Sequence, residues 1–403
     1  MYSSAFAKFR LSALGIALLG SATHAVSDAV VDAITSGKSF GDFRLRYENV
    51  AQDNTLKDAS ALTLRTRLGY TTGAYSNFSA TVEFEDVRVV AGRDSFSVPP
   101  TGFKTGRFSV IADPEVTELD QGFVQYKNDL VTARLGRQVV SYDGHRFVGH
   151  VGWRQDRQTF DAMRVDLSPA KGVAFSYSYV DQRNGIFAEV RDQDSKDHLL
   201  NAAFETPLGK LVVYGYLLEL DNNTDNSLDT YGFSLSGSKP LENTRLLYTI
   251  EYASQEFELG ALERNAEYKF AEGGVVISGI TIKASYESLG SDDGTYGFST
   301  PLATLHKFNG WADVFLNTPA VGLVDTYATL SGPLAGGNWS VVYHRFKADE
   351  RAPAINDLGR ELDISYARKF GKHYNAGIKY AAFSAGDVAV DTDKIWAWVG
   401  LTF

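Results

Sequence analysis

The sequence predicts an all-β fold: a transmembrane antiparallel up-and-down β-barrel of about eighteen strands, with sixteen as the alternative count. Three observations lead there. Alternating segments of about ten residues recur from end to end. The links between them are long and short in turn. The chain closes on Lys394-Ile395-Trp396-Ala397-Trp398-Val399-Gly400-Leu401-Thr402-Phe403, an alternating strand with an aromatic last residue.

At the start of the chain, Lys8 and Arg10 precede an apolar run from Leu11 to Leu19, and small residues lead to Ala25. Residues 1–25 read as a cleaved secretory signal, because the run is far shorter than the roughly twenty residues a spanning helix needs. Val26 to Ser36 could form a short amphipathic helix stopped by Gly37, so residues 26–39 are assigned to a short periplasmic segment and 40–403 to the barrel. The formal net charge is −10 and grows more negative once Lys8 and Arg10 are removed, which argues against nucleic acid as a partner. Zero cysteines exclude disulfides and thiolate metal sites.

Strand-like segments start near residues 42, 61, 77, 117, 130, 158, 173, 198, 210, 229, 244, 264, 279, 322, 338, 360, 373 and 394. Each has one uncharged face, as in Val212, Tyr214, Tyr216, Leu218 and Leu220, or Leu362, Ile364 and Tyr366. Long links at 90–116, 140–157 and 182–197 alternate with tight ones such as Thr206-Pro207-Leu208-Gly209 and Gly371-Lys372. That parity suits a barrel with longer loops outside, short turns in the periplasm and both termini periplasmic. A Lys or Arg facing mid-membrane lipid costs roughly 2–4 kcal/mol, so the uncharged faces should meet lipid and the charges the lumen. Closure satisfies every backbone N–H and C=O, the only way for strands to span lipid. Phe403, Leu401, Val399, Ala397 and Ile395 are therefore expected to face lipid, the last strand closing against the first.

The opposite faces carry Arg44, Arg46 and Glu48, then Arg65 and Arg67, then Glu83 and Glu85, then Arg134, with Arg164, Glu267, Lys269, Glu287 and Lys379 further round. Two readings are open: a positive stripe that draws anions inward and holds them bidentately, or arginines that pair with Glu83 and Glu85 across strands. Trp396 and Trp398 also point inward, either to stack on sugar rings or to pack against an inward loop. The link from Gly290 to Val321 holds Leu302, Leu305, Phe308, Trp311, Val314, Phe315 and Leu316, too apolar for a water-exposed loop. It is expected to fold into the barrel mouth as a constriction, with His306, Phe308, Trp311 and Phe315 in it and a short helix over 310–316 capped by Asn309. A contact with a partner protein or a neighbouring barrel is the alternative.

Catalytic patterns are missing. There is no G-x-S-x-G or H-E-x-x-H, and His145, His150, His306 and His344 are scattered. Asp221, Asn223 and Asp225 alternate like a calcium loop without its glycine and distal glutamate. No catalytic residue, metal or cofactor is assigned.

Phe40-Gly41-Asp42-Phe43-Arg44-Leu45-Arg46-Tyr47-Glu48, Leu135-Gly136-Arg137-Gln138, and Trp153-Arg154-Gln155 running to Thr159-Phe160-Asp161-Ala162-Met163-Arg164-Val165 resemble the alginate-export family of outer-membrane porins. His306-Lys307-Phe308-Asn309-Gly310-Trp311-Ala312-Asp313 is similar to a segment of that family's shorter bacterial members. The resemblance implies an eighteen-stranded barrel with an arginine-rich constriction that passes a polyuronate, Arg44, Arg46, Arg65, Arg67 and Arg134 lying where such a lining would be. Glu83 and Glu85 dilute that field. The expected function is a passive channel for small hydrophilic solutes, led by anionic sugars or oligouronates. A closed structural or adhesion barrel and a barrel hydrolase are the alternatives. Expected partners are outer-membrane lipid, those solutes, the barrel-assembly machinery and periplasmic chaperones, with monomer and homotrimer both open.

Overall fold

The computed structural model describes residues 24–99, 104–352 and 355–403. The signal expected at residues 1–25 lies outside these except for His24 and Ala25, which begin helix α1 (His24–Thr35). The helix sits across one end of the barrel, where Gly73 N–H donates to the Ala33 carbonyl at 2.8 Å and the Tyr70 hydroxyl donates to the Ile34 carbonyl.

Eighteen strands follow: β1 (Lys38–Gln52), β2 (Ala59–Thr71), β3 (Phe78–Ala91), β4 (Val116–Lys127), β5 (Val131–Gln138), β6 (Thr159–Ala170), β7 (Val173–Asn184), β8 (Gln193–Thr206), β9 (Gly209–Leu218), β10 (Asn226–Leu241), β11 (Thr244–Leu259), β12 (Leu262–Ile277), β13 (Ile280–Leu289), β14 (Leu323–Leu334), β15 (Gly337–Ala352), β16 (Ile355–Phe370), β17 (Tyr374–Ala385) and β18 (Thr392–Thr402). Each pairs antiparallel with the next. The first and last close the ring in a register from Asp42↔Thr402 to Gln52↔Thr392. Gly41 and Phe403 exchange two 3.1 Å backbone hydrogen bonds, and a side chain at Gly41 would come within 2.7 Å of the Phe403 ring. Glycine is needed there because the terminal aromatic lies over the seam.

The solvent pattern is inside out. Leu68, Phe84, Ile282, Ile378 and Val399 are exposed on the outer wall, while Arg46, Arg65, Arg67, Glu83, Glu85 and Lys379 are buried in the interior. A water-soluble β-sheet protein would reverse this arrangement; a barrel in lipid requires it. Two segments depart from the expected facing. Val212, Tyr214, Tyr216 and Leu218 of β9 turn inward and are buried, while Val213 on the other face is exposed. The reason is a core inside the barrel: Phe147 packs on Tyr214 and Tyr216 with ring centres 5.1 and 6.1 Å apart. Glu267 and Lys269 stand on the outer wall near the long-link end, and pair with each other at 2.7 Å.

The interior is filled by three long links at the end opposite α1. Residues 92–99 and 104–115 bury Phe96, Val98 and Ile111 against Val50, Ala59 and Ala61. Residues 139–158, expected outside, enter the lumen, as do residues 290–322, whose Phe298, Leu302, Ala312 and Phe315 join the main core with Phe346, Phe383 and Trp396. The helix expected at 310–316 does not form; the one helical turn in this link is Leu305–Lys307. Positive φ at Asn309, Gly310 and Asp313 breaks the path, and the N–H groups of Trp311 and Ala312 donate to the Asp363 and Glu361 carboxylates instead.

Candidate functional site: the lumen constriction

Strands β1 to β3 place their charges on one wall, with Arg44 opposite Arg65, Asp42 opposite Arg67 and Arg67 opposite Glu85. The inward links then divide these arginines. Arg46 is fully buried between Asp113, Glu48 at 3.3 Å and the Trp153 carbonyl. Arg67 pairs with Glu85 and approaches Asp120 at 3.7 Å. Glu83 pairs with a loop arginine, Arg157, at 2.6 Å rather than with a strand arginine, and also accepts from Gln121 of β4 at 2.5 Å. Arg154, from the same link, bridges Glu48 at 3.0 Å and Asp313 at 2.7 Å. Cross-strand neutralisation by Glu83 and Glu85 therefore holds for one arginine, Arg67.

Arg44 differs. Its guanidinium donates only to neutral acceptors: Gln155 Oε1 at 2.9 Å and the carbonyls of Gly152, Trp153 and Arg154 at 3.1, 2.7 and 2.6 Å. It positions the loop, and among the described residues no carboxylate pairs with it. Arg65 pairs with Asp42 at 2.7 Å, a partly exposed carboxylate. Arg44, Arg65, Arg67 and Arg157 line a vestibule of about 370 Å³ with His150, Trp398 and a single carboxylate, Asp42. Phe43, Gly400 and Thr402, beside the seam of the first and last strands, complete the cavity wall. Arg65 is paired with Asp42, and Arg67 and Arg157 with Glu85, Glu83 and Asp120 outside this lining, so Arg44 is the lining cation left without a carboxylate partner among the described residues. The concave surface still presents guanidinium groups suited to carboxylates.

A second layer pins residues 290–322. Trp153 stacks on His306 with ring centres 4.8 Å apart, and Trp396 meets both edge-on at 5.8 and 5.4 Å. Lys379 Nζ sits 3.7 Å from the Trp311 ring centre and 4.5 Å from that of Trp153. Phe308 lies under the Arg146 guanidinium at 4.7 Å, and Arg146 pairs with Glu287 at 2.7 Å. Phe315 packs on Phe346 at 4.8 Å. The expected constriction residues thus meet in one aromatic and charged plug. Trp396 is completely buried in it and has no face free for a sugar, whereas Trp398 packs on Trp153 at 5.5 Å and also borders the vestibule.

Arg134 and Arg164 lie apart from this cluster. They face each other across β5 and β6, Arg134 bonded to Gln125 at 2.8 Å and Arg164 to Asp166 at 2.9 Å. Sequence reading missed the contributions of Asp113, Arg146, Arg157 and Lys394. The arginines Arg146, Arg154 and Arg157 beside Trp153, with apolar Val140 and Val148, were the available signal in that link. Among the described residues no group of His, Asp and Glu converges in a way that could hold a metal ion.

The plug also carries a protonation signature. His306 Nε2 lies 2.8 Å from Lys379 Nζ, and Nδ1 lies 2.6 Å from Asp313 Oδ1. With lysine as donor, Nε2 accepts and Nδ1–H donates to the carboxylate, so the imidazole is neutral. Burial pushes the His306 pKa well below its ordinary value, the Lys379 and Arg154 charges add to this, and Asp313 opposes it. Burial would raise Asp313, but His306, Lys394 and Arg154 around it outweigh that and hold it well below the carboxylate range. Asp313 therefore keeps its contribution until the pH falls below that range. His306 acts sooner: a released, hydrated imidazole takes a proton below pH of about 6.5, so each further unit favours release by about 1.4 kcal/mol. Channel current at pH 4.5 is expected to show more frequent opening transitions than at pH 7, and His306→Gln is expected to flatten that dependence. An unchanged pH response in the variant would assign it to another group.

Comparison with known proteins bears on the whole chain. A family model described as alginate export matches residues 30–267. No curated protein sequence matches the chain. Among solved structures, OccK9 (OpdG) of Pseudomonas aeruginosa is 15% identical with a TM-score of 0.70, over 92% of this chain and all of the other. OpdK of Pseudomonas aeruginosa, crystallised with vanillate, is 11% identical with a TM-score of 0.72, over 92% and 99% of the two chains. OccAB1 of Acinetobacter baumannii is 12% identical with a TM-score of 0.72, over 92% and 97%. At these identities the likeness is one of fold.

Proposed function

The chain belongs to the alginate export family, and from that premise we propose that it is a passive outer-membrane channel for small anionic solutes, with anionic sugars and oligouronates as the leading class. One observation carries the anion preference: Arg44, which has no carboxylate partner among the described residues, lines a vestibule inside the barrel beside three further arginines. Uronates present a carboxylate to a guanidinium fork and an apolar ring face to an aromatic, and Trp398 stands beside the arginines. The inward links at 139–158 and 290–322 set the size limit. In this reading the chain ends and α1 face the periplasm and the long links face outward. Family membership and the inside-out burial pattern support the channel; the charge of the vestibule supports the choice of solute. No bond is made or broken in passage, so the protein acts by field and fit alone.

Single-channel recording of the folded protein in a planar bilayer under a KCl gradient tests this. The expected result is an open channel whose reversal potential shows chloride passing more readily than potassium, with oligouronates added from the vestibule side reducing the current. Folded protein without conductance would reject the channel; conductance with cation preference would reject the anionic solute.

A further inference from the structure

On the outer wall, Arg345 of β15 lies directly opposite Arg360 of β16, with Lys347 two positions further toward the long-link end. All three side chains are exposed, and the residues that alternate with the two arginines, His344, Phe346 and Glu361, are buried inward. Cross-strand partners of this kind stand about 5 Å apart, and like charges so placed repel. Four other outward cations near this end are neutralised: Arg88 by Asp86 at 2.6 Å, Arg137 by Asp161 at 2.7 Å, Lys196 by Asp221 at 2.9 Å and Lys269 by Glu267 at 2.7 Å. Among the described residues no carboxylate pairs with Arg345, Arg360 or Lys347. Asp357, opposite Lys347 in register, uses its side chain to accept the Gly359 N–H at 3.0 Å.

The position says what the missing anion is. One step toward the other end, the next outward pair is Tyr343 opposite Leu362, exposed and part of the apolar belt. The two arginines therefore sit where acyl chains give way to headgroups, on the long-link side. Guanidinium groups in pairs bind phosphate bidentately, and Thr326, opposite Arg345 on β14, adds an exposed hydroxyl. We propose that Arg345, Arg360 and Lys347 form a binding site for the sugar phosphates of lipid A, the phosphorylated glycolipid of the outer leaflet. This rests on the orientation given above, with the long links facing outward. The lipid phosphate supplies the countercharge that the protein omits.

The test uses the full folded barrel in detergent, mixed with lipid A and observed by native mass spectrometry. The expected result is one retained lipid A per barrel, at least fivefold less in R345S/R360S, and none retained when the lipid A lacks its phosphates. Arg368, exposed on the same strand toward the opposite end, provides the control: R368S should retain lipid A as the unaltered protein does. Equal retention by R345S/R360S, retention of the dephosphorylated lipid, or equal retention of phosphatidylglycerol would each overturn the site. Loss in R368S instead would overturn it through the orientation, while leaving the conductance test of the channel untouched.

Discussion

Asp313→Ala is expected to enlarge or destabilise the single-channel current and to lower thermal stability, because this one carboxylate joins three elements. Its side chain is almost wholly buried and accepts from Arg154 at 2.7 Å, Lys394 at 3.0 Å and His306 at 2.6 Å. Removal leaves Lys394 of β18 buried without a carboxylate, while Arg154 keeps Glu48 at 3.0 Å. Breaking one side of a buried ion pair costs about 3–5 kcal/mol, most of it the penalty of the stranded charge. Strand pairing in the wall does not depend on Asp313, so the loss should appear as release of residues 290–322. Far-UV circular dichroism should stay constant while current noise rises and the loop becomes cleavable by protease. The double variant D313A/K394M removes the stranded charge and should recover part of the stability without restoring the quiet current. Unchanged noise and protease resistance in D313A would show that the aromatic contacts of Trp153, Trp311 and Phe315 hold the plug without it.

How much of this could be read from residues alone depended on whether a local pattern or a distant partner decided the structure. Eighteen strands were legible because alternation and link parity are local, and the seam of Phe403 on Gly41 follows from the alternation of the last strand. The inward fold of residues 290–322 was legible from its apolar content. Residues 139–158 were not, because Arg146, Arg154 and Arg157 look like a solvated loop until Glu287, Glu48 and Glu83 are seen to receive them. The same link explains the facing of β9: Tyr214 and Tyr216 turn inward since Phe147 arrives to cover them. The absent helix at 310–316 has a like cause, as Glu361 and Asp363, far away in sequence, take the backbone N–H groups the helix would have used. Arginines on β1 and β2 could be placed in the lumen from the sequence, but which of them remain uncompensated could not.

That last distinction selects the variant with the largest expected effect on ion selectivity. Replacing Arg46 or Arg67 with serine strands Asp113, or Glu85, in the interior, and the folding cost would obscure any change in permeation. Arg44 and Arg65 can go at lower cost: Arg44 bonds only neutral acceptors, and Asp42, the partner of Arg65, reaches solvent. At a separation of about 6 Å in water-like surroundings each unit charge contributes about 0.7 kcal/mol to the attraction of a monovalent anion. R44S/R65S should thus weaken anion attraction roughly tenfold and move the reversal potential toward potassium preference, more at low salt than at high. R44K/R65K separates charge from loop placement, since lysine restores the charge but cannot span the carbonyls of residues 152–154 as the guanidinium fork does. Selectivity retained in the lysine pair and lost in the serine pair would assign it to the field of the vestibule. Selectivity lost in both would assign it to the position of Trp153 and Gln155, which Arg44 holds; unchanged selectivity in both would remove the vestibule from the permeation path.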